Sequence, residues 1–554
     1  MKPALTPWQR LVSLLELDKR DVKQIIYYAI FAGLLSLTLP LGIQAIINLI
    51  QGAQVTTSWI ILVVLVTLGV AFQGILQIMQ VRILENMQQK IFTRSSFEFA
   101  YRFPKIRSTA LRKFYPPELA NRFFDTLMVQ KGLKTILLDF PTATLNIIFG
   151  LILLSFYHPF FIIYGLLLLV LVYLVFKFTA VRGLESSLEE SKEKYRVAHW
   201  LQEVARSLVS FKLSGRTDLA MQRNNKLTED YLEYRESHFQ ILILQFAQMV
   251  GFKILVTAGL LLIGGLLVLN QQMNIGQFVA AEIIILTVIS SVEKLITGLE
   301  SFYDVLTSLE KIGQVVDKEL EDQEGLDPFS SEVPLQIELD KVSFKAIDGD
   351  WILRNISMSI KESDRILISG PSGSGKTTLL KVISGIAKPT EGAMFINNSS
   401  FSGIRPNAYR ARLGQVLPEQ TPFEGTILEN ITFNDPAISS DRVQEVIQLV
   451  GLQDFVRRQA QGIHTLIYPE GQHIPHTVSK RMLLARAIVH EPKLLLLKDA
   501  LEHFETEEAK KLIDYLGSSE RPWALVVASN QTSWDQVCTQ QIKLSEGAII
   551  QKKP

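Results

Sequence analysis

The chain has 554 residues, 48% of them hydrophobic and 20% charged, with a formal net charge of +1. That length exceeds one hydrophobic core and points to two or three domains, while the balanced charge gives no case for a nucleic-acid partner. A single cysteine, Cys538, excludes an internal disulfide and fits a reducing compartment.

Before residue 300 the sequence carries six apolar stretches, at about 25–50, 59–80, 136–157, 160–178, 241–269 and 275–299. Each holds roughly the 20 residues that cross a hydrocarbon layer as a helix. Runs such as FIIYGLLLLVLVYLVF (161–176) have no polar face, which speaks against buried helices of a soluble protein. The first run follows the charged Asp18-Lys19-Arg20-Asp21 and is too long for the core of a cleavable signal. The short links 51–58, 158–159 and 270–274 contain no Lys or Arg, whereas 82–134 and 177–240 carry eleven each. Positive loops remain on the cytoplasmic side. Both long links and both termini are therefore expected there, in an integral membrane protein. The long links read as helical continuations of the spans, as in FEFAYRF (97–103) and SSLEESKEKYRVAHWLQEVARSL (186–208). Breaks are expected near Tyr115-Pro116-Pro117 and at 212–217.

Four charges fall inside the apolar runs: Asp139, Lys253, Glu282 and Glu293. At about 1.5 Å per residue, Asp139, Lys253 and Glu293 reach a similar depth in the inner half, with Glu282 nearer the outside. Either Lys253 pairs with Glu293 or Asp139 toward a cavity, or the helices project past the bilayer and the charges meet water. Gln44, Asn48, Gln73, Gln77, Gln245 and Gln248 are the cavity-facing candidates, with bonding between neighbouring helices as the alternative.

Beyond residue 316 the composition changes. The acidic, turn-rich DKELEDQEGLDPFSSEVP (317–334) reads as a linker between a membrane domain, 1–316, and a soluble domain, 335–554. LQIELDKVSF (335–344) reads as a strand. RILISG (365–370) reads as another, leading into Gly370-Pro371-Ser372-Gly373-Ser374-Gly375-Lys376-Thr377-Thr378 and the apolar helix LLKVISGI (379–386). The spacing G-x-x-x-x-G-K-[ST] between a strand and a helix marks a phosphate-binding loop. Its glycines let backbone N–H groups wrap phosphate oxygens, the helix start adds positive dipole, and Lys376 supplies a cation. These nine residues are the expected ATP-binding set, and the Thr377 hydroxyl is the one candidate ligand for Mg²⁺.

A six-helix membrane domain followed by such a loop resembles one half of an ATP-binding-cassette exporter. Further landmarks stand in order along nearly the whole chain. VSFKAIDGDWILRNISMSI (342–360) resembles the strand pair before the loop, and LGQVLPEQTPFEGTILENITF (413–433) the segment that touches the membrane domain. MLLARAIVHEPKLLLLKD (482–499) resembles the signature helix and second nucleotide strand. IGQFVAAEIIIL (275–286) and LTSLEKIGQVVD (306–317) are similar to the sixth helix and its exit. The resemblance implies an all-α six-helix transmembrane domain plus an α/β P-loop NTPase nucleotide-binding domain. The membrane domain is most similar to bacterial peptide- and protein-secretion exporters, which implies the bacterial inner (plasma) membrane.

The same resemblance exposes departures. With Ala485-Arg486-Ala487 and Pro492-Lys493 aligned, the family signature LSGGQ falls on Ile474-Pro475-His476-Thr477-Val478. Pro475 has no N–H to offer a phosphate. Lys498 stands where the family has the aspartate that holds Mg²⁺, and a cation there repels the metal. Asp499 stands at the catalytic glutamate, one methylene short. A register slid by one residue makes Asp499 the metal residue and leaves Ala500 at the base position. The coupling glutamine reads Pro418, with Gln420 two places late. The switch histidine reads Ser529 or Asn530. The adenine-stacking aromatic falls on Ala346, near Trp351, and the turn after the second nucleotide strand reads Glu502-His503-Phe504-Glu505. No residue qualifies as catalytic, Asp499 being the nearest approach, so the pattern implies ATP binding without efficient hydrolysis and makes Mg²⁺ doubtful.

The family pairs its nucleotide domains head to tail, which implies a homodimer or heterodimer through both domains. In neither pairing does this chain help to form one complete site. Partners implied are the lipid membrane and a membrane-fusion or secretion component. At Lys498 two readings stand: an ammonium that substitutes for Mg²⁺, or a lysine that contacts Asp499 or faces solvent. Three functions remain open at this point. They are an exporter subunit deficient in hydrolysis, a non-transporting membrane scaffold or sensor, and a working ATPase with unorthodox residues.

Overall fold

The computed structural model describes residues 5–52, 57–111, 114–215, 217–322, 324–329 and 334–553. Parts of the first outer link (53–56), of the second expected break (216) and of the acidic stretch (323 and 330–333) lie outside the described residues. The chain forms two compact units, Met1–Lys105 with Phe114–Lys318, and Ile106–Lys113 with Glu319–Pro554.

In the first unit six helical segments are long and apolar enough to cross a membrane: Lys19–Gln51, Thr57–Lys105, Pro116–Ser155, Phe160–Arg206, Leu219–Leu269 and Ile275–Val316. The helix Phe160–Arg206 has 47 residues and Thr57–Arg102 has 46. At 1.5 Å per residue each is about twice the hydrocarbon thickness, so the spans run on into the long links as single helices. Interruptions fall where the backbone chemistry requires them. Pro40 cannot donate to the Ser36 carbonyl, and the first span breaks at Leu37 between Lys19–Ser36 and Thr38–Gln51. Pro141 withholds a donor in the same way, and the preceding turn, Thr135–Asp139, widens to a π-helix. Pro116 opens the short helix Pro116–Ala120, and Gly215 (φ +53°) ends the helix Leu208–Ser214.

Apolar faces such as Ile60, Leu65, Leu68, Phe72 and Ile78 are exposed, as a lipid-facing surface requires. The buried stripe of Leu219–Gly259 is Gln245, Met249, Phe252 and Val256. Within this stripe Gln245 donates to Thr179 Oγ1 (2.9 Å) and the Tyr303 hydroxyl (3.1 Å), and elsewhere Tyr157 donates to Gln44 (2.7 Å). Both glutamines thus bond neighbouring helices. Of the two readings of Lys253, the pair with Glu293 or Asp139 is not formed: Lys253 is exposed, one residue off that stripe, and makes no ion pair among the described residues. One residue turns a helical side chain by about 100°, away from the packed face.

The second unit holds a mixed six-stranded sheet and an antiparallel four-stranded one. In chain order the strands are β1 (Gln336–Lys345), β2 (Trp351–Lys361), β3 (Arg365–Ser369), β4 (Glu391–Ile396), β5 (Ser399–Ser400) and β6 (Leu413–Val416). They continue as β7 (Gly425–Thr426), β8 (Leu466–Ile467), β9 (Leu494–Lys498), β10 (Ala524–Ala528), β11 (Gln540–Ser545) and β12 (Ala548–Lys553). The large sheet runs β12-β11-β3-β10-β9-β6, parallel except for β12, and the smaller β2-β1-β4-β5. Parallel strands covered on both faces need unbroken apolar runs, and RILIS, LLLLK and ALVVA supply them, with Leu494 to Leu497 all fully buried. Ala528 pairs with Lys498 on one side and Ile368 on the other. The carboxyl ends of β3, β10 and β9 therefore lie side by side, the place where open α/β sheets bind ligands.

Residues 319–322 and 324–329 are fastened to this unit. Leu320 bridges Ile106 and Leu326 bridges Ile404. Arg107 pairs with Glu319 and Asp322, and Arg410 clasps Glu321 at 2.6 and 2.8 Å.

Candidate functional site

The phosphate loop turns from β3 into the helix Lys376–Ile383. A Cβ on Gly370 (φ +147°) would stand 2.2 Å from the Leu544 carbonyl oxygen, and one on Gly375 (φ +97°) 2.9 Å from that of Ile352. Only glycine fits either place. Pro371, Ser372 and Gly373 are exposed at the tip, Ser374 and Lys376 are buried, and Thr377 and Thr378 are half-buried at the helix start. Lys376 donates to the carbonyls of Gly370 (2.5 Å) and Pro371 (2.9 Å). Its ammonium thus curls into the loop's own bowl. Burial holds it below the ordinary lysine value.

Lys498 ends β9 beside this loop, its side chain 12% exposed and in contact with Asp499 Oδ2. The contact of Lys498 with Asp499 is present, and it occupies only part of the ammonium's three donors. Burial first, and then the Lys376 charge, lower its proton affinity. Asp499 sits in the left-handed region (φ +44°), which aspartate tolerates, and its N–H reaches the Ala528 carbonyl at 3.2 Å. Two ammoniums therefore lie beside the loop, with Asp499 in contact with Lys498 and Glu502 near enough to favour its charged form. Magnesium requires octahedral oxygen donors at about 2.0–2.1 Å. Thr377 and a lysine-bound Asp499 do not fit that demand.

The remaining positions are satisfied locally. Gly370 donates its N–H to Asn530 Oδ1 at 3.2 Å, which ties the segment after β10 to the phosphate loop. Gln420 accepts from the Leu417 N–H at 3.1 Å and closes a turn after Pro418. The Lys345 ammonium covers one face of Trp351 at 4.4 Å from the ring centre. The helix His476–Ile488 has Pro475 as its N-cap with no side-chain capping bond. Val478 packs on the core, and the His476 ring meets His503 edge-on at 4.8 Å. Burial, Lys480 and His503 all depress the His476 pKa.

Sequence reasoning missed two anchors. Arg486 lies against the stacked pair of Phe423 and Phe433, 5.5 and 4.9 Å from their ring centres, and donates to the Asn430 carbonyl (2.6 Å) and side chain (2.9 Å), its pKa pulled to about 10 by burial. Arg365 is 3% exposed and donates to the Trp523 (2.7 Å) and Ser518 (2.8 Å) carbonyls, among others. An arginine opening a buried strand was the available signal for the second.

Comparison with known proteins places these features in a family. Residues 25–292 match the family described as "ABC transporter transmembrane region", and 353–502 match "ABC transporter". Over 287 residues the chain is 29% identical to the alpha-hemolysin translocation ATP-binding protein HlyB of Escherichia coli O157:H7, covering 52% of this chain and 40% of that one. It is 26% identical over 328 residues to a putative export ATP-binding/permease protein of Rickettsia bellii, covering 59% and 57%. It is also 24% identical over 355 residues to the leukotoxin translocation ATP-binding protein LktB of Mannheimia haemolytica, covering 62% and 49%. The chain spans about half the length of these curated relatives. A solved structure of a bacterial Atm1-family ABC exporter with ATP bound superposes with a TM-score of 0.85 over 96% of this chain and 95% of that one, at 15% identity.

Proposed function

We propose that this chain, which belongs to the ATP-binding-cassette (ABC) transporters as an exporter half-transporter, is a secretion-type subunit that binds ATP but is deficient in hydrolysing it. It works as a homodimer or heterodimer in the bacterial plasma membrane with both termini cytoplasmic, and with a secretion partner. Relatives named for toxin translocation and export support the secretory reading. The loop Gly370–Thr378 supplies the phosphate contacts.

The observation that carries the hydrolytic deficiency is Lys498 at the end of β9, paired with Asp499. Hydrolysis of a phosphoanhydride needs a metal held against the β- and γ-phosphates and a group that orients water. The positions that would serve hold an ammonium and a carboxylate already bound to it. In a head-to-tail pair with a competent chain, one site would have this Lys498 and the other this Pro475, so neither site would be complete.

The test is substitution of Lys376→Ala in the full chain, with ATP binding, ATP turnover and export measured together. Loss of binding and export, with turnover below about 0.1 s⁻¹ throughout, is the expected result. Export unchanged by Lys376→Ala would mean that nucleotide does not drive this subunit and would favour a scaffold.

A further inference from the structure

We infer that the phosphate loop of this chain takes a nucleoside polyphosphate without any divalent cation, the ammoniums of Lys376 and Lys498 supplying the charge that neutralises it. The inference rests on the proposal that this loop binds ATP, and it adds the ionic form of the ligand.

The register of the sheet is the first support. Lys498 pairs with Ala528, and Ala528 with Ile368, two residues before Gly370. Strands lie about 4.8 Å apart, so the Lys498 backbone is roughly 10 Å from that of β3, at the same level. An extended lysine bridges most of that interval. Its ammonium is close enough to Lys376 for the two charges to disfavour each other.

Charge is the second. Lys376 is 7% exposed and bonds only two neutral carbonyls. A buried cation without a counter-ion is costly, and an arriving phosphate removes that cost. Lys498 contacts Asp499, but an ammonium has three donors, so that contact leaves hydrogens for phosphate oxygens. Asp499 then acts as a positioning residue, which holds Lys498 at the strand end and prevents it from swinging into solvent. Lys376 and Lys498 together present two ammoniums to the ligand, with Asp499 in contact with Lys498 and Glu502 near enough to favour its charged form. A divalent ion entering the same space would meet both ammoniums, with Asp499 already in contact with one of them.

The buried Ser374 hydroxyl is the third. It lies inside the loop with no hydrogen-bond partner. Such groups are uncommon in finished structures, and a bound phosphate oxygen would satisfy it directly.

The experiment is equilibrium binding of ATP to the full-length protein in detergent, with magnesium and with excess EDTA. The expected result is an affinity that differs by less than about threefold between the two buffers. Lys498→Met should weaken binding in EDTA by about ten- to a hundredfold, the value of one charge-assisted hydrogen bond, while an unchanged gel-filtration profile and melting temperature show that the variant folds. Lys498→Asp should make binding depend on magnesium. Binding seen only with magnesium overturns the inference and leaves the ATP-binding proposal standing. Binding in neither buffer overturns both. Unchanged affinity of Lys498→Met in EDTA removes Lys498 from the site and overturns the inference as well.

Discussion

Gly370→Ala is the sharpest test of how the phosphate loop is built. The added methyl would lie 2.2 Å from the Leu544 carbonyl oxygen and 3.0 Å from Ser374 Oγ, on a backbone with φ of +147°. Backbone oxygen cannot rotate away, so the loop must shift by about 1 Å to restore van der Waals contact. Strain in a glycine-only region costs about 1–3 kcal/mol, and forcing a methyl into filled space about 1–3 more. If the loop relaxes in the free protein, that cost of about 2–6 kcal/mol returns on binding as a loss of about thirtyfold or more in ATP affinity. Gly373→Ala is the control. Its φ is +80°, yet its Cβ would meet nothing within 4 Å, so only strain of about 1–2 kcal/mol applies. Titration of both variants with ATP, alongside thermal melts, separates clash from strain. Equal affinities for the two variants, with Gly370→Ala melting as the native protein does, would refute the reasoning.

Further outcomes follow from single contacts. Arg365→Met strips the Trp523 and Ser518 carbonyls of their buried donor and should cost about 3 kcal/mol or more, read as a fall in the melting transition of the nucleotide domain. Lys253→Met and Glu293→Gln should act additively within about 0.5 kcal/mol, since no ion pair joins them, and a double-mutant cycle in detergent measures this. The folded-state pKa of His476 is lowered from 6.5, so the unfolded chain takes up its proton first and stability falls as pH drops through about 6.5. Solvent exposure keeps the effect small, and His476→Asn should flatten that part of the pH–melting profile.

Much of this architecture is legible in the residues because few other structures could satisfy them. Unbroken apolar runs such as 160–178 have no soluble alternative, whereas the deformations at Pro40 and Pro141 are not among the breaks read from the sequence. RILIS reads as a strand, LLLLK as one by resemblance, and the glycine spacing as the phosphate loop. What stayed hidden depends on angles and distant partners. The Lys253 pair failed because its packed face is set by phase along a 41-residue helix, where one residue moves a side chain about 100°. The bond from Gly370 to Asn530 joins residues 160 apart in sequence. The clasp of Arg410 on Glu321 likewise depends on a fold that brings an acidic stretch back onto the nucleotide domain. At Lys498 both the residue type and a contact with Asp499 were legible, whereas the left-handed backbone at Asp499 was not.

The most direct measurement is steady-state ATP turnover by the purified full-length chain alone, in lipid nanodiscs with magnesium. The account predicts turnover below about 0.1 s⁻¹, under the 1–10³ s⁻¹ of ordinary enzymes, together with retained ATP binding. Turnover above about 1 s⁻¹ that Lys376→Ala abolishes would contradict it, because a site with Lys498 and a paired Asp499 would then be completing the reaction.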